Sequence, residues 1–371
     1  MRNEILGLIN MQEDNPLREL NEKRPLATMP FGGKFRLIDF TLSSMVNAGI
    51  NDIGLLLSFQ SRSVLDHIRS AKDWNLARKG DDGLFYLPAE VGDVISPEEG
   101  DIRSFYRNLL FIDRGMCRYL LLTNCKYVHN IDYDKVLHFH RQHTADVTMI
   151  YQTIKEPMDR NLVSLDMDER SRVTGINLTE HLDAGENVFV QSLLIDCGIF
   201  ERSVRYAYAK GYKHFIKDVL QKNLERLRIF AYNHEGHAAR IDSVETYFKA
   251  NMDLLDLRNW HDLFLSDDFR IHTKIKDEAP AKYMEESHVS NSLIANGCII
   301  EGRVENSILF RKVRVGKNAC IRNSIIMQHS IIGDDAQLNC IVCDKNAVIQ
   351  PEAVLSGSQD SPLCIAKHAI K

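Results

Sequence analysis

The stretch Val304-Glu-Asn-Ser-Ile-Leu-Phe-Arg-Lys-Val-Arg-Val-Gly316, continuing Lys317-Asn-Ala-Cys-Ile-Arg-Asn-Ser-Ile-Ile-Met327, decides the architecture of the C-terminal part of this chain. Its apolar residues step at Val304, Leu309, Val315, Ile321 and Ile326, and the series runs on through Ile332, Leu338, Cys343, Val348 and Val354. Every step is five or six residues, which neither a 3.6-residue helix nor a period-two strand produces. A three-sided parallel β-helix does, because each short face places one inward residue per turn. Asn291-Ser292, Asn306-Ser307 and Asn323-Ser324, each followed by two apolar residues, recur at spacings of 15 and 17, about one full coil. A Greek-key sandwich needs longer strands and turn signals about 8–12 residues apart.

Ahead of this repeat the texture is different. Ile5–Ile9, Asp52–Leu57, Tyr119–Leu122 and Val147–Tyr151 are short β-type runs, too apolar for half-exposed edges, and helical patterns alternate with them. The segment Asp39 to Asn47 reads as a helix with Asp39 as N-cap and Gly49 just past its end. A second helix is legible over Val244 to Leu255, with Asp242 or Ser243 placed to cap it. The expected organisation is an α/β domain over 1–255 with a mostly parallel sheet, a connecting segment over 256–288, and a β-helix over 289–371.

Composition narrows the function classes. The 371 residues carry 46 Lys and Arg against 51 Asp and Glu, a formal net charge of −5, which argues against nucleic-acid binding by bulk charge. With 44% apolar and 26% charged residues the chain is of globular type. No stretch approaches the roughly 18 apolar residues of a membrane helix, and the run before Asn10 is too short for a signal-peptide core. A cytoplasmic protein is expected, and its eight cysteines read as small apolar fillers. Cys340-Ile-Val-Cys343 is a lone CxxC with no second pair at zinc spacing, so it reads as coil filler.

Three segments carry a resemblance. Pro30-Phe-Gly-Gly-Lys-Phe-Arg-Leu-Ile-Asp-Phe40 with Asn47-Ala-Gly-Ile50, Tyr247-Phe-Lys-Ala-Asn-Met-Asp-Leu254, and Ser307-Ile-Leu-Phe-Arg-Lys-Val-Arg-Val-Gly316 resemble signatures of the bacterial ADP-glucose pyrophosphorylases, the glucose-1-phosphate adenylyltransferases. They occur in order and span nearly the whole chain. The resemblance implies a Rossmann-like nucleotidyltransferase domain followed by a left-handed parallel β-helix. It also implies a reaction of ATP with glucose 1-phosphate to give ADP-glucose and pyrophosphate, with Mg²⁺ bridging the phosphates.

Against that pattern, several parts of the implied active site are replaced. An ungapped match puts Met11-Gln-Glu-Asp-Asn-Pro-Leu17 where the family has a glycine-rich phosphate loop. No glycine remains there, Pro16 stands at the arginine position, and Glu13 and Asp14 add negative charge, with Arg18 the one nearby substitute. Lys126 falls at the metal aspartate after the central strand, or Cys125 or Asn124 with a small shift. Asp242 matches the second metal aspartate, and a lone carboxylate is a poor Mg²⁺ site, so helix capping is its alternative role. Gly100-Asp-Ile-Arg-Ser104 replaces a nucleotide motif, and the sugar-phosphate Glu-Lys-Pro has no counterpart between Thr174 and Asp183. Lys217 and Asp218 match a further substrate-side motif.

Cations persist elsewhere. Lys23, Arg24 and Arg36, and in the repeat Arg311, Lys312 and Arg314, match positions that in the family bind phosphorylated sugar effectors. If the two domains fold against each other, these residues converge on a phosphate. The resemblance therefore implies the non-catalytic, GlgD-type branch of the family: a regulatory chain with no cofactor of its own, assembled as a heterotetramer with a catalytic GlgC-type subunit in glycogen synthesis. A catalytic chain with a rearranged loop, in which case Mg²⁺ is needed, and a free-standing sensor of sugar phosphate or nucleotide are the alternatives.

Overall fold

A computed structural model describes residues 4–12, 17, 20–22, 24–77, 83–89, 100–264 and 269–371. The first domain is built on nine strands: β1 (Ile5–Asn10), β2 (Asp52–Leu56), β3 (Gly83–Leu87), β4 (Tyr119–Asn124), β5 (Val147–Thr153), β6 (Met158–Met167), β7 (Val173–Leu182), β8 (Asn187–Asp196) and β9 (Ile229–Asn233). Their order is β7-β6-β8-β4-β1-β2-β3, with β5 pairing β8 and β9 off that path. Strands β4, β1, β2 and β3 are mutually parallel, as are β5 and β9, whereas β8 runs antiparallel to β4, β5 and β6. All four runs expected in the sheet interior have neighbours on both sides. The side chains of β4 are buried throughout, as its unbroken apolar run requires.

The first helix, α1, spans Leu37–Asn47, two residues earlier than expected. Arg36, not Asp39, is its N-cap. Asp39 sits one turn inside, where one carboxylate oxygen accepts the Arg36 N–H at 2.9 Å and the other meets His67 Nε2 at 2.5 Å. A carboxylate can satisfy the helix start from inside the first turn as well as from the cap, which the sequence pattern does not distinguish. At the far end of the domain α2, Val244–Met252, is capped by Ser243, whose hydroxyl accepts from Thr246 N–H. Asp242 is therefore not the cap.

Within 256–288 the chain is more ordered than a connector. A helix α3, Leu257–Phe264, follows α2, and Lys282–Tyr283 already forms the first β-helix strand. The mixed charges of this helix hid its short apolar face, on which Leu263 is fully buried.

From there the chain winds through three five-stranded parallel sheets, one per side of a coil. Val304, Ile321 and Leu338 stack on one side, Val315, Ile332 and Ile349 on the next, and Leu309, Ile326, Cys343 and Ile365 on the third. The stepping series fails only at its end. Ile349 and Leu355 turn inward rather than Val348 and Val354, and Val354 is 75% exposed. Adjacent residues of a strand face opposite ways, so in an apolar pair spacing alone does not say which points in.

The Asn-Ser repeat has a physical cause. Asn291, Asn306, Asn323 and the equivalent Cys340 occupy left-handed backbone at one corner, with φ of 40°, 43°, 45° and 53°, a region Asn tolerates better than most residues. The side-chain amides form a ladder, Asn291 Nδ2 donating to Asn306 Oδ1 at 2.7 Å and Asn323 Nδ2 to Asn339 Oδ1 at 3.0 Å. Each serine hydroxyl accepts a backbone N–H from the next coil, Ser324 N–H to Ser307 Oγ and Ile341 N–H to Ser324 Oγ, both at 3.1 Å. Ser324→Ala leaves the buried Ile341 N–H unpaired and is expected to cost about 1–3 kcal/mol in urea unfolding, more than a surface Ser→Ala change.

Candidate functional site

Two sites follow from this frame, one at the carboxyl ends of the parallel strands and one at the seam between domains. At the strand ends lies a cavity of about 120 Å³ whose polar lining includes Asn10, Asp101, Asn124 and Gln191. Open parallel sheets bind ligands at this edge. Its groups are amides more than charges: Asn124 Nδ2 donates to Gln191 Oε1 at 2.6 Å, and Gln191 holds φ +57° at an irregularity of β8. Of the implied phosphate loop, residues 13–16 and Arg18 lie outside the described residues. Gln12, which is described, turns its side-chain amide to the Leu57 carbonyl.

The two implied metal positions do come together. The pairing of Tyr127–His129 with Ala238–Arg240 carries Ile241 beside Lys126, whose carbonyl accepts the Ile241 N–H at 2.7 Å. Asp242 is thus brought next to Lys126, but its carboxylate is spent. Arg160 Nη1 donates to one oxygen at 2.7 Å, and Arg240 Nε stands 2.8 Å from the other. Two arginines flank the one carboxylate, so like charge would meet an incoming cation where Mg²⁺ requires anionic oxygen. Among the described residues no three His, Cys, Asp or Glu gather as a metal-holding group. These residues do not fit a divalent cation.

Lys217 is exposed and does not line the cavity, and Asp218 is occupied otherwise. Its carboxylate accepts the backbone N–H groups of His214 (3.0 Å) and Lys213 (3.1 Å) and pairs with Lys222. Burial pushes against ionisation, yet these donors hold the Asp218 carboxyl at about 2. Asp101 completes the clasp, accepting Phe215 N–H at 2.7 Å. Where the resemblance implies substrate contacts, this structure has a pinned turn.

The seam is where most of the remaining cations are found. Outward residues Ile308, Ile325 and Val342 of the third β-helix sheet, with Phe310 and Met327, join the core of the α/β domain. Beside them Tyr247 donates to the Pro30 carbonyl at 2.5 Å and Asn251 accepts Gly32 N–H at 3.0 Å, one helical turn apart on α2. This fixes the hairpin that carries Lys34 and Arg36. A cavity there is lined by Lys34, Arg36, Lys274, Lys276 and Arg311, with Glu278 as its one carboxylate.

Of the six effector candidates, Arg36 and Arg311 reach this cavity. Lys23 lies outside the described residues. Arg24 is buried in an ion pair with Asp344 of the β-helix at 2.9 Å, so it ties the domains together. Lys312 pairs with Glu278 at the rim, and Arg314 is exposed away from the lining. Lys274, Lys276 and Lys345 were not singled out by the resemblance. The only signal for the first two is their i, i+2 spacing in an extended segment, which places both on one side.

Crowding marks the seam electrostatically. Burial, then Arg36 and Arg24, lower Lys345 to about 7. Burial likewise lowers Arg36, Arg311 and Lys276, and keeps His67 and His329 below the ordinary histidine value. Such an array can accept a compact anion with several oxygens.

Comparison with known proteins agrees with this geometry. The nucleotidyl transferase model matches residues 15–263, and the GlmU-like C-terminal hexapeptide model matches 279–361. The fold is that of a nucleotidyltransferase domain joined to a hexapeptide β-helix. The chain is 39% identical to the glycogen biosynthesis protein GlgD of Geobacillus stearothermophilus, covering 100% of this chain and 98% of that one. It is 35% identical to GlgD of Bacillus subtilis, covering 100% and 97%. With the glucose-1-phosphate adenylyltransferase of Geobacillus stearothermophilus it shares 30% identity over 86% of this chain and 83% of that protein. The chain belongs to the glucose-1-phosphate adenylyltransferase family.

Two outcomes test these assignments. Arg24→Ala strands the buried Asp344 carboxylate and is expected to lower unfolding free energy by about 3–5 kcal/mol, with Arg24→Ala/Asp344→Ala recovering part of it. Asp218, held near 2 against an ordinary 3.8, stabilises the fold fully above 3.8 and progressively less as pH falls toward 2. Asp218→Asn is therefore expected to flatten the acid limb of a stability–pH curve in that window.

Proposed function

We propose that this chain is a regulatory subunit, non-catalytic or weakly active, of a glucose-1-phosphate adenylyltransferase in glycogen biosynthesis, and that it acts by assembly with a catalytic GlgC-type subunit. The observation that carries the reading is the occupied Asp242: its two oxygens face Arg160 and Arg240, and Lys126 stands at the partner position. A chain arranged in this way keeps the domain scaffold and lacks a seat for the metal that bridges the nucleotide phosphates. The names of its full-length relatives, GlgD in two organisms, favour the same pathway.

The seam supplies the regulatory element. Arg36, Lys274, Lys276 and Arg311 come from both sides of the domain junction, so a phosphorylated sugar held among them bears on how the β-helix sits against the α/β domain. For that to change a partner's turnover, the chain must bind the partner's active and inactive states unequally.

Co-expression with a catalytic GlgC-type subunit, followed by sizing and rate measurement, tests this directly. A mixed oligomer with altered turnover or activator response is expected, together with no ADP-glucose formation by the purified chain given ATP, glucose 1-phosphate and Mg²⁺. Robust turnover by the chain alone, abolished by Asp242→Asn, would establish the catalytic alternative. Arg311→Ala and Lys276→Ala are each expected to weaken sugar-phosphate binding by roughly tenfold or more, since a hydrogen bond to a charged group is worth about 1.5–3 kcal/mol. Binding just above pH 7 is expected to take up a proton, because an anion raises Lys345 from about 7. Calorimetry in buffers of different ionisation enthalpy reads that uptake.

A further inference from the structure

Residues 269–281 form neither helix nor strand and carry the chain from the α/β domain to the β-helix. The first part of this strap is tied to the α/β domain. Asn47 Nδ2 donates to the Arg270 carbonyl at 3.0 Å, His272 N–H to Ser43 Oγ at 2.8 Å, and Lys274 Nζ to the Asp66 carbonyl at 2.8 Å. The last part is tied to the β-helix, where the Ala279 carbonyl accepts Gly297 N–H at 2.6 Å. Between these ties, 275–278 make no backbone hydrogen bond to any described residue. Alternate residues of an extended chain face the same way, so Lys274, Lys276 and Glu278 line the cationic cavity while Ile275 and Asp277 are exposed.

Glu278 is an acid among cations. Lys34, Arg36, Lys274, Lys276 and Arg311 line the same cavity, and the Glu278 carboxylate pairs with Lys312 Nζ at 2.9 Å. Lys312, with His329 and Arg311 adding to it, holds the Glu278 carboxyl below the usual carboxylate range. The pair is built into a corner of the coil. Lys312 and His329 occupy left-handed backbone there, with φ of 60° and 63°. A Cβ on Gly297 would meet Lys312 Cγ at 2.9 Å, so glycine at that corner leaves room for the lysine stem.

One carboxylate leaves most of this array uncompensated. A phosphate dianion brings twice the charge and three acceptor oxygens to the same cations, so it wins the exchange against Glu278. A ligand with a single carboxylate gains nothing over the one already there.

We propose that Glu278 is a tethered anion that occupies the seam until a ligand arrives and sets its selectivity: a phosphate dianion displaces the carboxylate from Lys312 and Arg311, and a monoanion does not. This rests on the reading of the seam as an anion site. Displacement cuts the Glu278–Lys312 tie of a span that no backbone hydrogen bond holds, which lets an anion bear on the junction between domains.

The test is isothermal titration of the full chain at about pH 7.5, where a phosphate monoester is a dianion. The probes are inorganic phosphate, glucose 6-phosphate and glucuronate, a monoanion of comparable size. Glucuronate is expected to bind the unaltered protein at least about tenfold more weakly than glucose 6-phosphate. Glu278→Gln is expected to tighten phosphate and glucose 6-phosphate about tenfold and to narrow the gap to glucuronate, because no tethered carboxylate remains to be displaced. Lys312→Ala breaks the same ion pair yet removes a cation, and is expected to weaken phosphate binding about tenfold. Opposite signs separate a competing anion from a structural tie, for which the two variants act alike. Asp277→Asn removes a negative charge from the adjacent exposed residue and is expected to leave all three affinities unchanged. The proposal is overturned if Glu278→Gln and Lys312→Ala shift phosphate binding in the same direction, if Glu278→Gln leaves it unchanged, or if Asp277→Asn tightens it equally. Phosphate that binds without responding to Glu278→Gln removes this proposal alone, whereas no binding of phosphate or glucose 6-phosphate to any variant removes the seam reading with it.

Discussion

One sheet of the β-helix is buried on both faces, and the rest of the structure depends on that. Its inward residues Leu309, Ile326 and Cys343 fill the coil, while the alternate residues Ile308, Ile325 and Val342 pack into the α/β core. The Asn-Ser repeat followed by two apolar residues is the sequence form of this double burial, since consecutive strand residues face opposite ways. Arg24 and Asp344 add a buried charge pair across the junction, with side chains 10% and 3% exposed. Such a pair contributes little net stability when intact, yet makes wrong alignments costly, because a shifted interface strands both charges. The domains are thus held in one relation, and the seam between them is a defined place.

That fixed relation explains how so many cations tolerate one another. Arg36 is held by the capping interaction of Asp39 and by the Ser63 carbonyl, and Lys274 by the Asp66 carbonyl. None of these anchors is a neutralising partner close enough to cancel the field at Lys345, whose lowered value records burial and the neighbouring arginines. The fold bears the repulsion among these cations. Asp39 does double duty here, starting α1 and meeting His67, so the loss of one carboxylate would disturb helix, histidine and arginine together.

At the strand ends the scaffold and the chemistry have separated. The ladder between Tyr127–His129 and Ala238–Arg240 brings the segments of Lys126 and Asp242 side by side, because backbone pairing is indifferent to which side chains it carries. The side chains now present satisfy one another: arginines from β6 and from the preceding strand neutralise Asp242, and amides from β4 and β8 bond across the cavity. The Asp242 carboxylate is thereby committed to structural ion pairs. The Asp218 clasp is a parallel case, a carboxylate that ties its own turn.

The sequence by itself determined what depends on periodicity and on short-range geometry. The five- or six-residue stepping specified the coil, the continuous apolar runs specified interior strands, and the absence of glycine in 11–17 and of an acid at 126 was visible without coordinates. The tertiary structure alone decided the partners of each charge. No spacing rule relates Arg24 to Asp344, 320 positions away, or Arg160 to Asp242, and cations counted as effector candidates divided into a domain tie, a rim pair and true cavity walls. Nor could a pattern reveal that Val354 faces out. The physical reason is range: hydrophobic alternation and capping are written over a few neighbouring residues, whereas an electrostatic partner is whatever the folded chain brings within a few ångströms.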